Sequence, residues 1–182
     1  MEVTDNTATT KNQRPVALLV IDVQQGLFEK STPIYKADEL LENIATLVDR
    51  AHLNGVPVIY VQHSAAKHLV KGSAEWQLHL QLQPLRTDTI VHKLHGNAFE
   101  DTPLGEILHA RNVTKVIITG LVTHGCVRAT CIGAQELGYN VILVKDGHSS
   151  FSKKAADLIE EWNEKLSVRH ITVKPTSEIA FD

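Results

Sequence analysis

The amino-acid sequence predicts an α/β domain with three layers, in which a six-stranded and mostly parallel sheet lies between layers of helices. Strand-like and helix-like segments alternate along the chain, and the sequence lacks the turn signals of β-hairpins. Most strand-like segments are unbroken runs of Val, Ile and Leu, which is typical of strands covered on both faces. Together these observations indicate a doubly wound, Rossmann-like architecture with right-handed crossovers.

Six segments have the composition of buried strands. They lie at 16–21, 57–61, 89–92, 115–119, 140–144 and 168–173. The purest apolar run is the first of them, VALLVI. It is far shorter than the ~20 apolar residues that a membrane-spanning helix needs, so we expect no membrane span there.

Four helical patterns separate these strands, at 38–53, 102–110, 126–137 and 152–166. Polar residues that are suited to capping begin three of the helices: Asp38, Thr102 and Ser152. Residues 62–86 have no clean period and are too many for a plain connection. We expect this stretch to be an excursion that covers part of the molecule.

Size and charge narrow the functional classes. The 182 residues favour one domain, over 15–182, after a polar segment at 1–14 that has the composition of a disordered arm. The formal net charge is -3, and the absence of a basic cluster argues against nucleic acid as a partner. The sequence begins without the apolar core of a secretory signal and contains two cysteines, so we expect a cytoplasmic protein with reduced thiols.

Three chemically reactive side chains follow strands of the predicted sheet. Asp22 and Lys93 come directly after the first and third strands, and Cys126 lies near the start of the helix that follows the fourth. Ligands of this fold class bind beyond the carboxyl ends of the strands. A thiol attacks as the thiolate, which a helix N-terminus and a nearby Lys both favour, and a carboxylate can carry its proton to a leaving amine. Backbone N–H groups over 122–126 are candidates to hold an oxyanion.

Each of these residues also has a structural interpretation. An Asp after a strand is common in turns, a Lys at a strand end is usually a solvated charge, and a Cys in a first helical turn is often a small buried residue. Cys131 lies about 500° around a helix from Cys126, so we expect no disulfide between them and assign Cys131 to the core. The same placement is poor for the resolving cysteine of a redox sensor.

Three stretches of the chain resemble the isochorismatase-like family of cysteine hydrolases. They are ALLVIDVQQGLF at 17–28, HKLHGNAFEDTPL at 92–104 and TGLVTHGCVRATCIGAQELGYNVILVKDG at 119–147. The combination is specific to that family, although each stretch alone is a weak signal. The resemblance extends over nearly everything after residue 15.

The resemblance implies a parallel sheet of six strands and a catalytic triad of Asp22, Lys93 and Cys126. It also implies a cis peptide bond between Leu121 and Val122, and an oxyanion hole formed by the backbone N–H groups of Val122 and Cys126. Members of the family act on small molecules and assemble as homo-oligomers, so a dimer or tetramer is expected here.

The cysteine indicates a branch of that family. Members that cleave the vinyl ether of isochorismate lack it, so the resemblance implies an amide hydrolase that needs no organic cofactor. In nicotinamidases an Asp-x-His motif helps to bind a divalent metal, whereas this chain has Val61, Gln62 and His63 at the corresponding place. His63 and His79 without the carboxylate make a poor ligand set, so we expect no metal and do not favour nicotinamide as the substrate.

The substrate pocket is expected to be partly apolar. Phe28 and Trp76 follow the first two strands, and His124 stands in the turn before Cys126, so these three side chains are the predicted lining. We predict a hydrolase that cleaves a C–N bond of a small amide or N-carbamoyl amine through a thioester. The open alternatives are a vinyl-ether hydrolase that does not depend on the thiol, and a non-catalytic binding protein with the same fold.

Overall fold

The computed structural model describes residues 15–181, in which six strands form one sheet. The predicted arm at 1–14 lies outside the described residues. The strands are β1 (Val16–Ile21), β2 (Val58–His63), β3 (Thr89–Lys93), β4 (Lys115–Leu121), β5 (Asn140–Ser149) and β6 (Thr172–Lys174). Each neighbouring pair is parallel, and the order across the sheet is β3-β2-β1-β4-β5-β6. The predicted fold class is therefore confirmed.

The strand order reverses between β1 and β4, and this reversal defines where a ligand can bind. Ile21 pairs with Gly120 across β1 and β4, and His63 pairs with Lys93 across β2 and β3. The carboxyl ends of four strands consequently meet at one edge of the sheet. In open parallel sheets ligands bind in the crevice at such an edge, close to the reversal.

Helices cover both faces of the sheet. They are α1 (Gln25–Phe28), α2 (Ala37–Leu53), α3 (Leu104–Ala110), α4 (Arg128–Glu136) and α5 (Ala155–Val168). A π-helical turn at Thr123–Val127 precedes α4, and a 3₁₀ turn at Thr176–Glu178 follows β6. Among residues 15–181 no helix has the length and apolar character needed to cross a bilayer.

Strand β1 lies between two apolar cores, and its residues alternate between them. Val16, Leu18 and Val20 pack in the core that α2 covers. The residues between them face a second core that contains side chains of α3, α4 and α5. All six residues of β1 are 0% exposed. Burial on both faces explains why the run VALLVI shows no alternation of apolar and polar residues.

The last predicted strand is shifted in the structure. We predicted residues 168–173, whereas β6 runs from Thr172 to Lys174. Helix α5 continues to Val168, and the chain then reverses through His170, which has a φ of 64°. The apolar and β-branched composition of the segment did not reveal that its first residues complete a helix.

Two predicted helix caps are also wrong. Helix α2 begins at Ala37, after Lys36 in a left-handed conformation, so Asp38 lies within the first turn instead of capping it. Helix α5 begins only at Ala155, and the Ser152 hydroxyl accepts a hydrogen bond from the Lys154 N–H in the preceding turn. At α3 the N-cap position is Pro103, and the Thr102 hydroxyl just before it accepts a 3.3 Å bond from the backbone N–H of Leu104.

Candidate active site

The structure brings the three predicted reactive side chains together. Lys93 Nζ lies 2.8 Å from Asp22 Oδ2 and 3.2 Å from Cys126 Sγ. Asp22 follows β1, Lys93 ends β3, and Cys126 lies in the π-helical turn after β4. The parallel sheet therefore assembles the cluster from three strand ends that are far apart in the sequence.

Asp22 has an unusual backbone and a free acceptor oxygen. Its φ is 51°, a left-handed conformation that Asp tolerates better than most residues. The side chain is buried, and Oδ1 has no hydrogen-bond partner within residues 15–181. Burial raises the pKa of this carboxyl, and the opposing charge of Lys93 does not fully offset it. Asp22 is thus a stronger base than an exposed aspartate.

Lys93 is surrounded by acceptors. Besides its contacts with Asp22 and Cys126, its ammonium donates to the carbonyl oxygen of His95 at 3.1 Å and lies 3.2 Å from His63 Nδ1. The residue is buried. A buried ammonium is stable only when it is paired and hydrogen-bonded, and these contacts supply both conditions. No pattern in the sequence indicates that His63 and the His95 carbonyl are partners of this lysine.

The protonation state of Cys126 differs from the thiolate that a helix N-terminus and a nearby Lys were expected to favour. Burial, followed by the negative charge of Asp22, raises its pKa to about 12, although the positive charge of Lys93 acts in the opposite direction. At neutral pH the resting side chain is therefore a thiol. Regular α-helix also begins only at Arg128, because Gly125 has non-helical angles, so Cys126 lies before the helix that we predicted to start there.

The turn that carries Cys126 begins with the cis peptide bond that the resemblance implies. The peptide bond between Leu121 and Val122 is cis. The Val122 carbonyl accepts hydrogen bonds from the N–H groups of Gly125 and Val127, which fold the segment tightly. At the end of β4, Gly120 has a φ of 124°, and a Cβ on it would lie 2.1 Å from the carbonyl oxygen of Ile21. Glycine is required there for β4 to approach β1 beside Asp22.

A cavity of about 770 Å³ opens above the cluster. This volume lies within the range of pockets that bind small organic molecules. Asp22, Val122 and Cys126 form part of its wall. The other lining residues are Gly26, Leu27, Glu29, Lys30, Ser31, Thr32, His63, Ala65, His68, Leu69, Glu75 and Phe151.

The predicted lining residues Phe28, Trp76 and His124 do not belong to this wall as the structure describes it. Phe28 packs against His79 with ring centroids 4.5 Å apart. Trp76 is buried, and its Nε1 donates to the hydroxyl of Ser64. His124 is half-buried in the π-helical turn. Leu27 and Glu75, which neighbour Phe28 and Trp76 in the sequence, line the cavity instead.

Two glutamines hold the 62–86 excursion against the end of β1. The Gln24 amide nitrogen donates to the carbonyls of His63 at 3.0 Å and Trp76 at 2.8 Å, and its oxygen accepts from the His63 N–H. The Gln62 amide nitrogen donates to the same Trp76 carbonyl. The backbone N–H of Gly26 also donates to the carbonyl of Glu75. The predicted covering role is confirmed, since His63, Ala65, His68, Leu69 and Glu75 form one side of the cavity.

The donor set does not suit the divalent metal of nicotinamidases. Asp22, His63 and Cys126 each present a possible ligand atom, and these atoms lie within 4.8 Å of one another. The Lys93 ammonium contacts all three residues, so its positive charge already occupies the place of a cation. His79 packs on Phe28 and is not part of that ligand group.

The chain is similar to known proteins of one family. A model of the isochorismatase domain matches residues 16–161. A streptothricin hydrolase of Streptomyces noursei is 33% identical over 147 residues, which are 80% of this chain and 53% of that protein. The chain thus spans about half the length of that relative. A ureidoacrylate amidohydrolase of Cronobacter sakazakii is 35% identical over 168 residues, with 71% of this chain and 72% of that protein covered.

A solved structure of the same family is also similar to this chain. The crystal structure of an isochorismatase family protein matches with a TM-score of 0.84 and 29% sequence identity, and the match covers 88% of this chain and 98% of that one. The parallel sheet of six strands and the match of the isochorismatase domain over residues 16–161 point to the same family. The chain belongs to the isochorismatase family of hydrolases.

Proposed function

We propose that this chain hydrolyses a C–N bond of a small amide or N-carbamoyl amine through a thioester formed on Cys126. The observation that carries the proposal is the position of the Lys93 ammonium, which contacts both Asp22 and Cys126 at the wall of an open cavity. The similarity to a ureidoacrylate amidohydrolase supports amide chemistry. The similarity to a streptothricin hydrolase supports hydrolysis of a small molecule.

The first half of the reaction forms the thioester. Asp22 Oδ1 takes the Cys126 proton while the sulfur adds to the substrate carbonyl, so a free thiolate is not needed beforehand. The raised pKa of Asp22 favours this transfer. The ammonium of Lys93 stabilises the negative charge as it moves from the carboxylate to the sulfur. The N–H groups of Val122 and Cys126 hold the oxyanion of the tetrahedral intermediate.

Collapse of that intermediate breaks the C–N bond. Asp22 gives the proton to the departing amine, and an acyl group remains on Cys126 as a thioester. A water molecule then adds to the thioester carbonyl as Asp22 removes one of its protons. The sulfur leaves, the proton returns to it, and the acid product is released. Each cycle consumes one amide and one water and yields one amine and one acid.

Intact-mass spectrometry after exposure to a panel of amides and N-carbamoyl amines tests this proposal. A substrate that acylates faster than it deacylates adds the mass of its acyl group to the chain, and peptide mapping should place that group on Cys126. The Cys126→Ala variant should lose both the adduct and turnover. The Cys131→Ala variant is the matched control, because Cys131 is a free thiol that lies wholly in the apolar core.

Two results would contradict the proposal. One is full turnover by the Cys126→Ala variant of an amide that the wild type cleaves, which would exclude covalent catalysis by this sulfur. The other is a failure of the wild type to cleave, or form an adduct with, any member of the panel. That result would favour the non-catalytic interpretation of the fold.

A further inference from the structure

A buried histidine links the π-helical turn that contains Cys126 to β5 and α5. His148 lies in β5 and is 3% exposed. Its Nδ1 lies 2.8 Å from the hydroxyl of Thr123, and its Nε2 lies 2.9 Å from Asn163 Oδ1. The three side chains are all buried and form one chain of hydrogen bonds from the π-helical turn through β5 to α5.

The partners determine the direction of each hydrogen bond. Asn163 Nδ2 donates to the Lys145 carbonyl, so Asn163 Oδ1 is left as an acceptor for His148. His148 Nε2 must then carry the hydrogen, and Nδ1 must accept. Thr123 is consequently the donor to Nδ1. Burial lowers the pKa of His148 to about 4, which keeps the ring in the neutral form that this arrangement needs.

Thr123 lies between the two residues whose N–H groups are assigned to the oxyanion. It directly follows Val122 and precedes Cys126 by three residues. The bonds from the Gly125 and Val127 N–H groups to the Val122 carbonyl shape the turn internally. The Thr123 hydroxyl instead fixes the turn to β5, outside the segment. The hydrogen bond between Thr123 and His148 therefore helps to set the orientation of the turn relative to the sheet.

We propose that Thr123, His148 and Asn163 are positioning residues that orient the Val122 and Cys126 N–H groups toward the substrate oxyanion. The inference rests on the proposed amide hydrolysis and adds the residues that set its oxyanion geometry. None of the three needs to touch the substrate. They act by preventing the turn from tilting while the carbonyl oxygen acquires charge.

The replacement Thr123→Val tests the inference because it removes the hydroxyl and keeps the shape of the side chain. Loss of one oxyanion donor typically lowers kcat by about 10²–10³, so a misoriented donor should cost about 10-fold or more, with KM changed by less than about 3-fold. The Thr123→Ser variant retains the donor and should recover most of the lost turnover. Alkylation of Cys126 by iodoacetamide creates no oxyanion, so its rate in Thr123→Val should match that of the wild type.

Thr176→Val is the matched control for a general loss of stability. Thr176 is also buried, and its hydroxyl donates to Asp146 Oδ1, another residue of β5. It should lower the melting temperature and leave kcat nearly unchanged. If Thr123→Val does not fold, His148→Gln provides the second test, because glutamine can accept from Thr123 through Oε1 only imperfectly and should lower kcat in the same selective way.

Several results would overturn the inference. They are a Thr123→Val kcat within about 2-fold of the wild type, an equal loss of kcat in Thr123→Val and Thr176→Val, or an effect confined to KM. In each case the wild type still turns over substrate through Cys126, so the proposed function stands. A wild type that forms no adduct and cleaves no substrate contradicts the proposed function instead, and the inference with it.

Discussion

The carboxylate of Asp22 and the ammonium of Lys93 form an ion pair with a distance of 2.8 Å, and the side chains are 3% and 0% exposed. Two charges removed from water in this way are stable only together, because each loses its hydration and gains the other as partner. The pair is also central to the proposed reaction, in which the carboxylate carries the proton and the ammonium stabilises the negative charge as it moves. Stability and the proposed activity therefore depend on the same contact.

Replacing Lys93 with Met should destabilise the protein by about 3–5 kcal/mol, because the buried carboxylate of Asp22 would lose its partner. Urea denaturation of the two proteins measures the difference. The double variant Asp22→Asn with Lys93→Met carries neither charge and should recover most of the loss, while remaining inactive. A Lys93→Met variant as stable as the wild type would show that the pair contributes nothing to folding.

Replacing Asp22 with Asn should make Cys126 more reactive toward iodoacetamide and still abolish turnover. The charge of Asp22 helps to raise the pKa of Cys126 to about 12, and Lys93 acts in the opposite direction. Without the carboxylate the pKa of Cys126 falls, and a larger fraction is thiolate at pH 8. The alkylation rate, followed by mass spectrometry across pH 6–10, checks the direction. Slower alkylation of the variant at every pH would contradict the account of this thiol.

Replacing Gly120 with Ala should prevent stable folding or lower the free energy of unfolding by more than about 3 kcal/mol. The added Cβ would lie 2.1 Å from the carbonyl oxygen of Ile21, and the φ of 124° is unfavourable for alanine. Gly105→Ala is the control, because it lies in α3 with open space around its Cβ position. That change should stabilise the protein by about 0.4–1 kcal/mol. Equal effects of the two changes in chemical denaturation would refute the prediction.

Replacing Gln24 with Ala should loosen the excursion that walls the cavity. The change removes two bonds to the His63 backbone and leaves the Trp76 carbonyl with Gln62 as its remaining donor. A buried polar group that loses its partner costs about 1–3 kcal/mol. Limited proteolysis should then cut within 64–86 faster than in the wild type. Gln62→Ala removes a single hydrogen bond to Trp76 and should have a smaller effect. A larger effect of Gln62→Ala would argue against Gln24 as the main anchor.

The sequence was sufficient to predict which side chains meet, because parallel strands bring their carboxyl ends to one edge. Asp22, Lys93 and Cys126 each stand at or just beyond such an end, so the strand pattern places them at one edge, and the family resemblance implies that they form one cluster. The sequence also indicated that Thr102 lies near the start of a helix, where its hydroxyl accepts a backbone N–H. These features depend on local composition and on topology, both of which a single sequence carries.

The electrostatics and the lining of the site were not predictable in the same way. The protonation of Cys126 is controlled by burial, and burial depends on how the excursion folds over the strand ends. The excursion has no period that reveals its path, and it is held by Gln24, whose side chain is buried although glutamine is usually exposed. Likewise, Leu27 rather than Phe28 faces the cavity because of the orientation of α1, a helix of four residues.

The surroundings of Lys93 have one more consequence. An ammonium has three hydrogens, whereas Asp22, His63, His95 and Cys126 present four acceptor atoms to it. Acceptors thus outnumber hydrogens, and a small rotation about the terminal C–N bond is enough to redistribute the bonds as negative charge shifts between oxygen and sulfur. In the proposed catalytic cycle the lysine can therefore follow the moving charge by rotation of its ammonium group, without a shift in the position of Nζ.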